Sequence, residues 1–270
     1  MRRGGQVGRK YRVGVTADEI IEAAVLLTGR KGLDGWSVRE LVSLVGTSPS
    51  VVYLRVGDRA AVCHRVVHRV LPMPSTPLRP GTEWKQWFTE ALLPLRTALR
   101  PYPGVARWIL LHGIRFPGPH EDTPTDVPGP DDAPDNMDRA FGLLRDAGFG
   151  DDAGLVFALI MNSALTTIAL ADDRLAHPQD GAAGHVAIRD GLRRRGEDSV
   201  FGTGLGAYVD RFAGPAEDSE AAEEHYYRTI IQTILDGVEA RLRPRGSDTG
   251  ARHLTDRQDT SQAQGGRAGP

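Results

Sequence analysis

The stretch 37-SVRELVSLVGTSPSVVYLRVGDRAAV-62 decides how this chain is read. Ser37, Ser48 and Asp58 each open a helix. Ser37 and Glu40 have the spacing of a capping box, in which the hydroxyl takes the N3 amide and the carboxylate reaches back. The helix they start, 38-VRELVSLV-45, stops at Gly46. Ser48 then caps a third helix with Pro49 at its first position, where the missing N–H does no harm. This helix is expected to end at Gly57, and Asp58 to cap a fourth that runs to about Val70. A purely structural segment rarely needs starts so close together. Two short capped helices around a tight turn make a helix-turn-helix, whose second helix enters the DNA major groove amino terminus first.

The pattern assigns roles. Val52 and Val56 face inward onto Leu41, Val45 and the first helix. Ser48, Pro49 and Ser50 form the tip that meets base edges, beside Thr47 in the turn and Ser37 at the start of the second helix. Pro49 holds the tip rigid, and the hydroxyls donate or accept. Tyr53, Leu54 and Arg55 lie on the other faces and reach DNA, Tyr53 at a phosphate. Arg59 begins the fourth helix, where free amides and a cation suit a phosphate oxygen. Arg39 is a candidate for a guanine edge.

Working outward, Thr16 caps a first helix over 17-ADEIIEAAVLLTGRKG-32, with Ile20, Ala24 and Leu27 as its apolar stripe. Residues 1–14 read as a flexible basic arm; its cations Arg2, Arg3, Arg9, Lys10 and Arg12 suit the minor groove or backbone. Residues 1–70 hold twelve Lys/Arg against six Asp/Glu, whereas the remainder holds 21 against 29. That asymmetry points to a polyanion-binding module, 15–71, joined to a part with another task.

The single cysteine, Cys63, rules out a disulfide framework or a cysteine-based metal site. The basic start is followed by no apolar core of a secretory signal. The run 153-AGLVFALIMNSALTTIALA-171 is nearly long enough to span a bilayer. It holds Asn162, Ser163, Thr166 and Thr167, with acids at both ends, and reads as the central helix of a soluble protein. There is no G-x-S-x-G, H-E-x-x-H or phosphate loop. The eight histidines are scattered; His64 and His68 share a helix face and read as a surface pair. No catalytic residue, metal or cofactor is expected.

Four prolines in 72-PMPSTPLRP-80 mark a boundary. Beyond it the pattern is helical over 82–99, 102–114, 136–147, 152–174, 204–213 and 220–242. Residues 117–135 read as an extended loop, 176–200 as a polar mobile segment, and 243–270 as a disordered tail. The regulatory part is therefore 81–242. It gathers Trp84, Trp87, Phe88, Trp108, Phe116, Phe141, Phe157 and Met161. These are candidates for a ligand pocket, with His112, Asn162 and Thr166 giving directed polar contacts. The competing reading is ordinary core.

The stretch 17–70 resembles the DNA-binding domain of TetR-family transcriptional regulators, on 20-IIEAAVLL-27, 32-GLDGWSVRELVSLVG-46 and 51-VVYLRVGDRAAV-62. The phrase GLDGWSVREL leans towards the tetracycline-repressor subgroup, and 226-YYRTIIQTILDGVEARL-242 is similar to that subgroup's last helix. Val42 stands where alanine is usual, and Leu54 and Arg55 replace aromatic or histidine positions, so no base preference carries over. The resemblance implies that the last two long helices pair with their symmetry mates. Ile230, Ile234 and Val238, beside Ile231, Leu235 and Leu242, would serve on the last helix, and Leu155, Leu159 and Leu165 on the 152–174 helix.

The expectation is an all-α chain: a three-helix, helix-turn-helix DNA-binding domain followed by a helical ligand-binding and dimerisation domain. It is a cytoplasmic, ligand-responsive repressor that binds a pseudo-palindromic operator as a homodimer. Its partners are double-stranded DNA, a second copy and a small apolar or amphipathic ligand, with no membrane. The alternative is a helix-turn-helix adaptor controlled by a protein partner.

Overall fold

The computed structural model describes residues 14–71, 82–114, 136–196, 198–212 and 216–242. Among these residues the chain forms eleven α-helices and no strand. They are α1 (Ala17–Lys31), α2 (Val38–Val45), α3 (Pro49–Arg55), α4 (Arg59–Val70), α5 (Trp84–Leu99), α6 (Val105–His112), α7 (Asn136–Asp146), α8 (Ala153–Ala176), α9 (Pro178–Arg193), α10 (Val200–Phe212) and α11 (Ala216–Leu242). A single 3-10 turn, Gly150–Asp152, leads into α8. The expectations for the basic arm, the 117–135 loop, Phe116 and the 243–270 tail fall outside the described residues.

The first helices form for the reasons their sequence gives. Thr16 Oγ1 accepts from the Glu19 amide at 3.1 Å, and the Thr16 amide donates back to Glu19 Oε2 at 2.9 Å. Ser37 and Glu40 repeat this capping box at α2. Gly46 stops α2 with φ 76°, a left-handed conformation that only glycine adopts without strain. Ile20, Ala24 and Leu27 bury against Leu41, Val52, Val56, Val62 and Val66. Each such aliphatic side chain contributes about 1.5–3 kcal/mol on leaving water. This small core fixes the angle at which α3 leaves the domain.

One apolar core continues from Val15 to Val238, so the amino-terminal helices are packed onto the rest. α8 is the centre of the larger part and packs against α5, α6, α7, α9 and α11. Its inner line includes Val156, Ile160, Ala164 and Ile168. α8 is long and apolar enough to cross a membrane by composition, yet this line is core. α11 closes the bundle through Tyr227, Ile231, Leu235 and Val238; the Tyr227 hydroxyl donates to Leu92 O of α5 at 2.7 Å. Buried Arg96 of α5 meets Glu220, Glu223 and Glu224 of α11 at 2.9–3.3 Å. Burial opposes its charge, but the three carboxylates outweigh that, and its pKa is raised.

The 176–200 segment is a correction. It holds helix α9, with Pro178 at its first position, and α10 begins at Val200 rather than near 204. α9 pairs with α10: Leu192 is buried, and the His185 ring stacks on Phe212 at 5.7 Å. Glycines and polar residues gave the segment little helical signal of its own. Docking against a neighbour supplies what propensity does not.

Candidate nucleic-acid interface and regulatory region

α3 presents a short exposed face. Val52 is fully buried, and Ser50, Tyr53 and Leu54 stand on the far side at i, i+3 and i+4 spacing. Tyr53 is 53% exposed and Leu54 81%. An exposed leucine on a seven-residue helix has no core to serve, and its branch suits a thymine methyl. Pro49 is exposed at the tip, and Arg55 and Arg39 are exposed beside it. Among the described residues, neither Arg39 nor Arg55 pairs with a carboxylate. Ser48 takes the N-cap position of α3, but its side chain makes no capping hydrogen bond, which leaves the hydroxyl for another partner.

Three expected DNA contacts have other work. Thr47 is 1% exposed, and its N–H donates to Val42 O at 3.0 Å in the turn. Ser37 is exposed but committed to its capping box, and its hydroxyl also lies 3.0 Å from Glu40 Oε2. Glu40 in turn pairs with Lys31. That ion pair and the Ser37 amide hold its carboxyl down at about 2, so the cap carries a full charge at neutral pH. Arg59, expected at a phosphate, turns inward. Its Nη2 donates to Leu33 O at 2.8 Å and Trp36 O at 3.4 Å, and its guanidinium lies 5.0 Å over the Trp36 ring. The spacing that suggested a phosphate contact could not reveal these carbonyls, because the α1–α2 turn approaches Arg59 only in the folded chain.

The aromatic candidates separate into two groups. Trp84, Trp87, Phe88, Phe141 and Phe157 form one wall, with ring centroids 4.9–6.4 Å apart. Phe149, which sequence reading passed over, packs edge-on to Trp84 at 5.2 Å. Trp84 and Phe88 are buried, whereas Phe141 is exposed and Phe157, Trp87 and Met161 are half-buried. The wall therefore has an open side. Trp108 and His112 belong elsewhere: their rings lie 3.8 Å apart on α6, and Trp108 meets the edge of His64 from α4 at 5.8 Å. His64 is thus part of the junction between α4 and α6, not of a surface pair with His68. Asn162 and Thr166, expected to line a pocket, are exposed on the outer side of α8.

The side chains expected at the dimer surface divide between the core and the exterior. Ile231, Leu235 and Val238 of α11 and Leu165 of α8 are buried in the chain's own core, and Ile230 and Ile234 are half-buried. On α8, Leu155, Leu159 and Leu170 remain exposed in line with Asn162 and Thr166. Two helical stripes looked available in sequence; α8 and α11 use one of them on each other.

No protein-family model matches the chain. The HTH-type transcriptional repressor DrrR1 of Streptomyces coeruleorubidus is 25% identical over 251 residues, which cover 91% of this chain and 85% of that protein. Among solved structures, the TetR family protein ActR of Streptomyces coelicolor in complex with actinorhodin superposes with a TM-score of 0.56 at 22% identity. It covers 84% of this chain and 98% of ActR. A TetR variant from Acinetobacter baumannii in complex with minocycline gives 0.55 at 18% identity, over 88% and 99%. The chain has the fold of these TetR-family regulators, as the resemblance of residues 17–70 implied.

Proposed function

We propose that a chain with this TetR-type fold is a DNA-binding transcriptional regulator. In this reading it is a repressor that binds a pseudo-palindromic operator as a homodimer and releases it on taking up a small ligand. The recognition face carries the reading. A rigid, proline-started helix is anchored by Val52 and offers Ser50, Tyr53 and Leu54, with exposed Arg39 and Arg55. Hydroxyls and guanidinium groups read base edges, the leucine reads a methyl, and the tyrosine holds a phosphate. The likeness to the repressor DrrR1 and to ActR supports it.

The second copy docks through the outer side of α8, where Leu155, Leu159 and Leu170 would leave water. A two-fold dimer sets two recognition helices about one turn of DNA apart. The ligand is small and apolar or amphipathic, and it meets the open aromatic wall of Trp87, Phe141, Phe157 and Met161. The complexes of ActR with actinorhodin and of the TetR variant with minocycline support a ligand of that character. Its binding shifts the dimer between two arrangements and takes the recognition helices out of register. A DNA partner sets the protein in the cytoplasm, and the reading gives it no catalytic role.

The test is selection of duplexes from a random-sequence pool, followed by fluorescence anisotropy on the selected and a scrambled duplex at several salt concentrations. A two-fold consensus, bound more tightly than the scrambled duplex and weakened steeply by salt, is the expected result. Enrichment of no consensus would sink the reading and favour an adaptor held by a protein partner.

A further inference from the structure

Leu33 sits in the turn between α1 and α2, and both of its backbone polar groups are held from outside that turn. Its carbonyl accepts from Arg59 Nη2 at 2.8 Å, at the first residue of α4. Its N–H donates to Pro103 O at 2.8 Å, in the turn between α5 and α6. The next residue of that turn, Gly104, donates its N–H to Asp172 Oδ2 of α8 at 3.0 Å. A second link runs in parallel, between the residues that follow Leu33 and Asp172: Arg107 of α6 bonds Asp34 at 2.6 Å and reaches Asp173 of α8 at 3.8 Å.

The two turns touch closely enough to move as one. Gly104 adopts φ 85°, and a Cβ there would lie 3.5 Å from Leu33 N. A Cβ on Gly32, at φ 78°, would lie 3.3 Å from Pro103 O. On the other side, Arg59 is joined to α3 by three residues, Val56, Gly57 and Asp58. Its guanidinium grips the Leu33 and Trp36 carbonyls and stacks on Trp36, whose Nε1 donates to buried Thr28 Oγ1 at 3.0 Å. Hydrogen bonds therefore lead from α8 to Arg59, which the short backbone link Val56–Asp58 joins to α3.

We propose that Arg59 is a positioning residue for the recognition helix. It acts through the α1–α2 turn, which Leu33 and Asp34 tie to α8 and α6. The proposal deepens the DNA-binding reading and rests on it. Arg59 touches no DNA in this account. It sets where α3 points, and the state of the α8 end decides how firmly it does so.

The test uses the full chain and the selected and scrambled duplexes. Arg59→Lys keeps the charge and loses the forked geometry; Arg59→Met loses both. Both should weaken binding to the selected duplex roughly tenfold to hundredfold, the worth of one or two charge-assisted hydrogen bonds. The selected-to-scrambled ratio should fall, with the salt dependence unchanged. Circular dichroism and thermal melting check folding, and Arg59→Lys carries the same readout where Arg59→Met fails to fold. A phosphate contact gives a different pattern. Arg59→Met would then flatten the log–log salt slope by about 0.9, weaken both duplexes alike, and be rescued by Arg59→Lys. That pattern overturns the proposal, as does parent-like binding by both variants. A loss that is equal on both duplexes with an unchanged slope marks a merely structural arginine and also overturns it.

The coupling is read by amide hydrogen exchange. Binding of the selected duplex should slow exchange at Leu33 and Gly104 in the parent, and the Gly104 response should disappear in Arg59→Lys. No response at Gly104 in the parent would overturn the coupling. A parent that selects no consensus fails the functional reading, whereas a selective parent with any overturning pattern fails this inference alone.

Discussion

At the scale of the residue, exposure separates contact from support. Tyr53 is half out of the fold, on a helix of seven residues. Tyr53→Ala should weaken binding to selected and scrambled duplexes alike, by about tenfold, with the fold intact. Anisotropy on both duplexes measures it, and binding as tight as the parent's would show that α3 is not the recognition helix. Ser50 and Arg39 face base edges in the same reading. Arg39→Ala should relax preference at one base position, worth about 1–3 kcal/mol, and a repeated duplex selection reads that change.

At the scale of the element, the two serine caps should behave differently. Ser37 makes its capping bond and Ser48 makes none. Ser37→Ala should cost about 1 kcal/mol in urea unfolding. Ser48→Ala should change stability by less than about 0.5 kcal/mol and still alter the selected sequence. The α1–α2 turn is tighter than its sequence advertises. A Cβ on Gly35 would lie 2.0 Å from Lys31 O, so Gly35→Ala forces the backbone to shift. It should destabilise the protein by about 2 kcal/mol or more, measured by the same unfolding midpoint.

At the scale of the whole molecule, α8 has an inner side that holds the chain together and an outer side on which Leu155, Leu159 and Leu170 are exposed, the surface proposed for the second copy. Leu155→Glu combined with Leu159→Glu should leave the helical signal unchanged and shift sedimentation to a monomer; retained dimer would place the interface elsewhere. Asp172, at the far end of the path to Arg59, gives a pH dependence. Burial pushes its carboxyl up to about 6; the Gly104 amide and Arg96 draw it down, and Asp173 and Glu223 of α11 raise it. Its ordinary value is 3.8, so the folded state holds this proton more tightly than the unfolded state does. The resulting stabilisation is complete below about pH 4 and is lost as pH rises through about 6. Asp172→Asn keeps an acceptor for Gly104 and cannot titrate. The parent should therefore lose stability relative to Asp172→Asn between pH 4 and 7, and parallel melting profiles would exclude the effect.

The sequence by itself determined the helix class, the caps of α1, α2 and α4, the inward faces of Ile20, Leu41 and Val52, and the short helix α3 that follows the turn. All of these rest on interactions between residues a few positions apart, whose geometry the 3.6-residue repeat dictates. Tertiary structure alone decided the rest. It turned Arg59 from solvent to the Leu33 carbonyl, buried Thr47, and brought Phe149 into the aromatic wall while leaving Trp108 against His64. It also ordered α9, and it consumed the α11 stripe within the chain's own core while leaving that of α8 outside. Those outcomes depend on which surfaces meet across long separations in sequence. A pattern marks a side chain as apolar or charged, and packing chooses its neighbour.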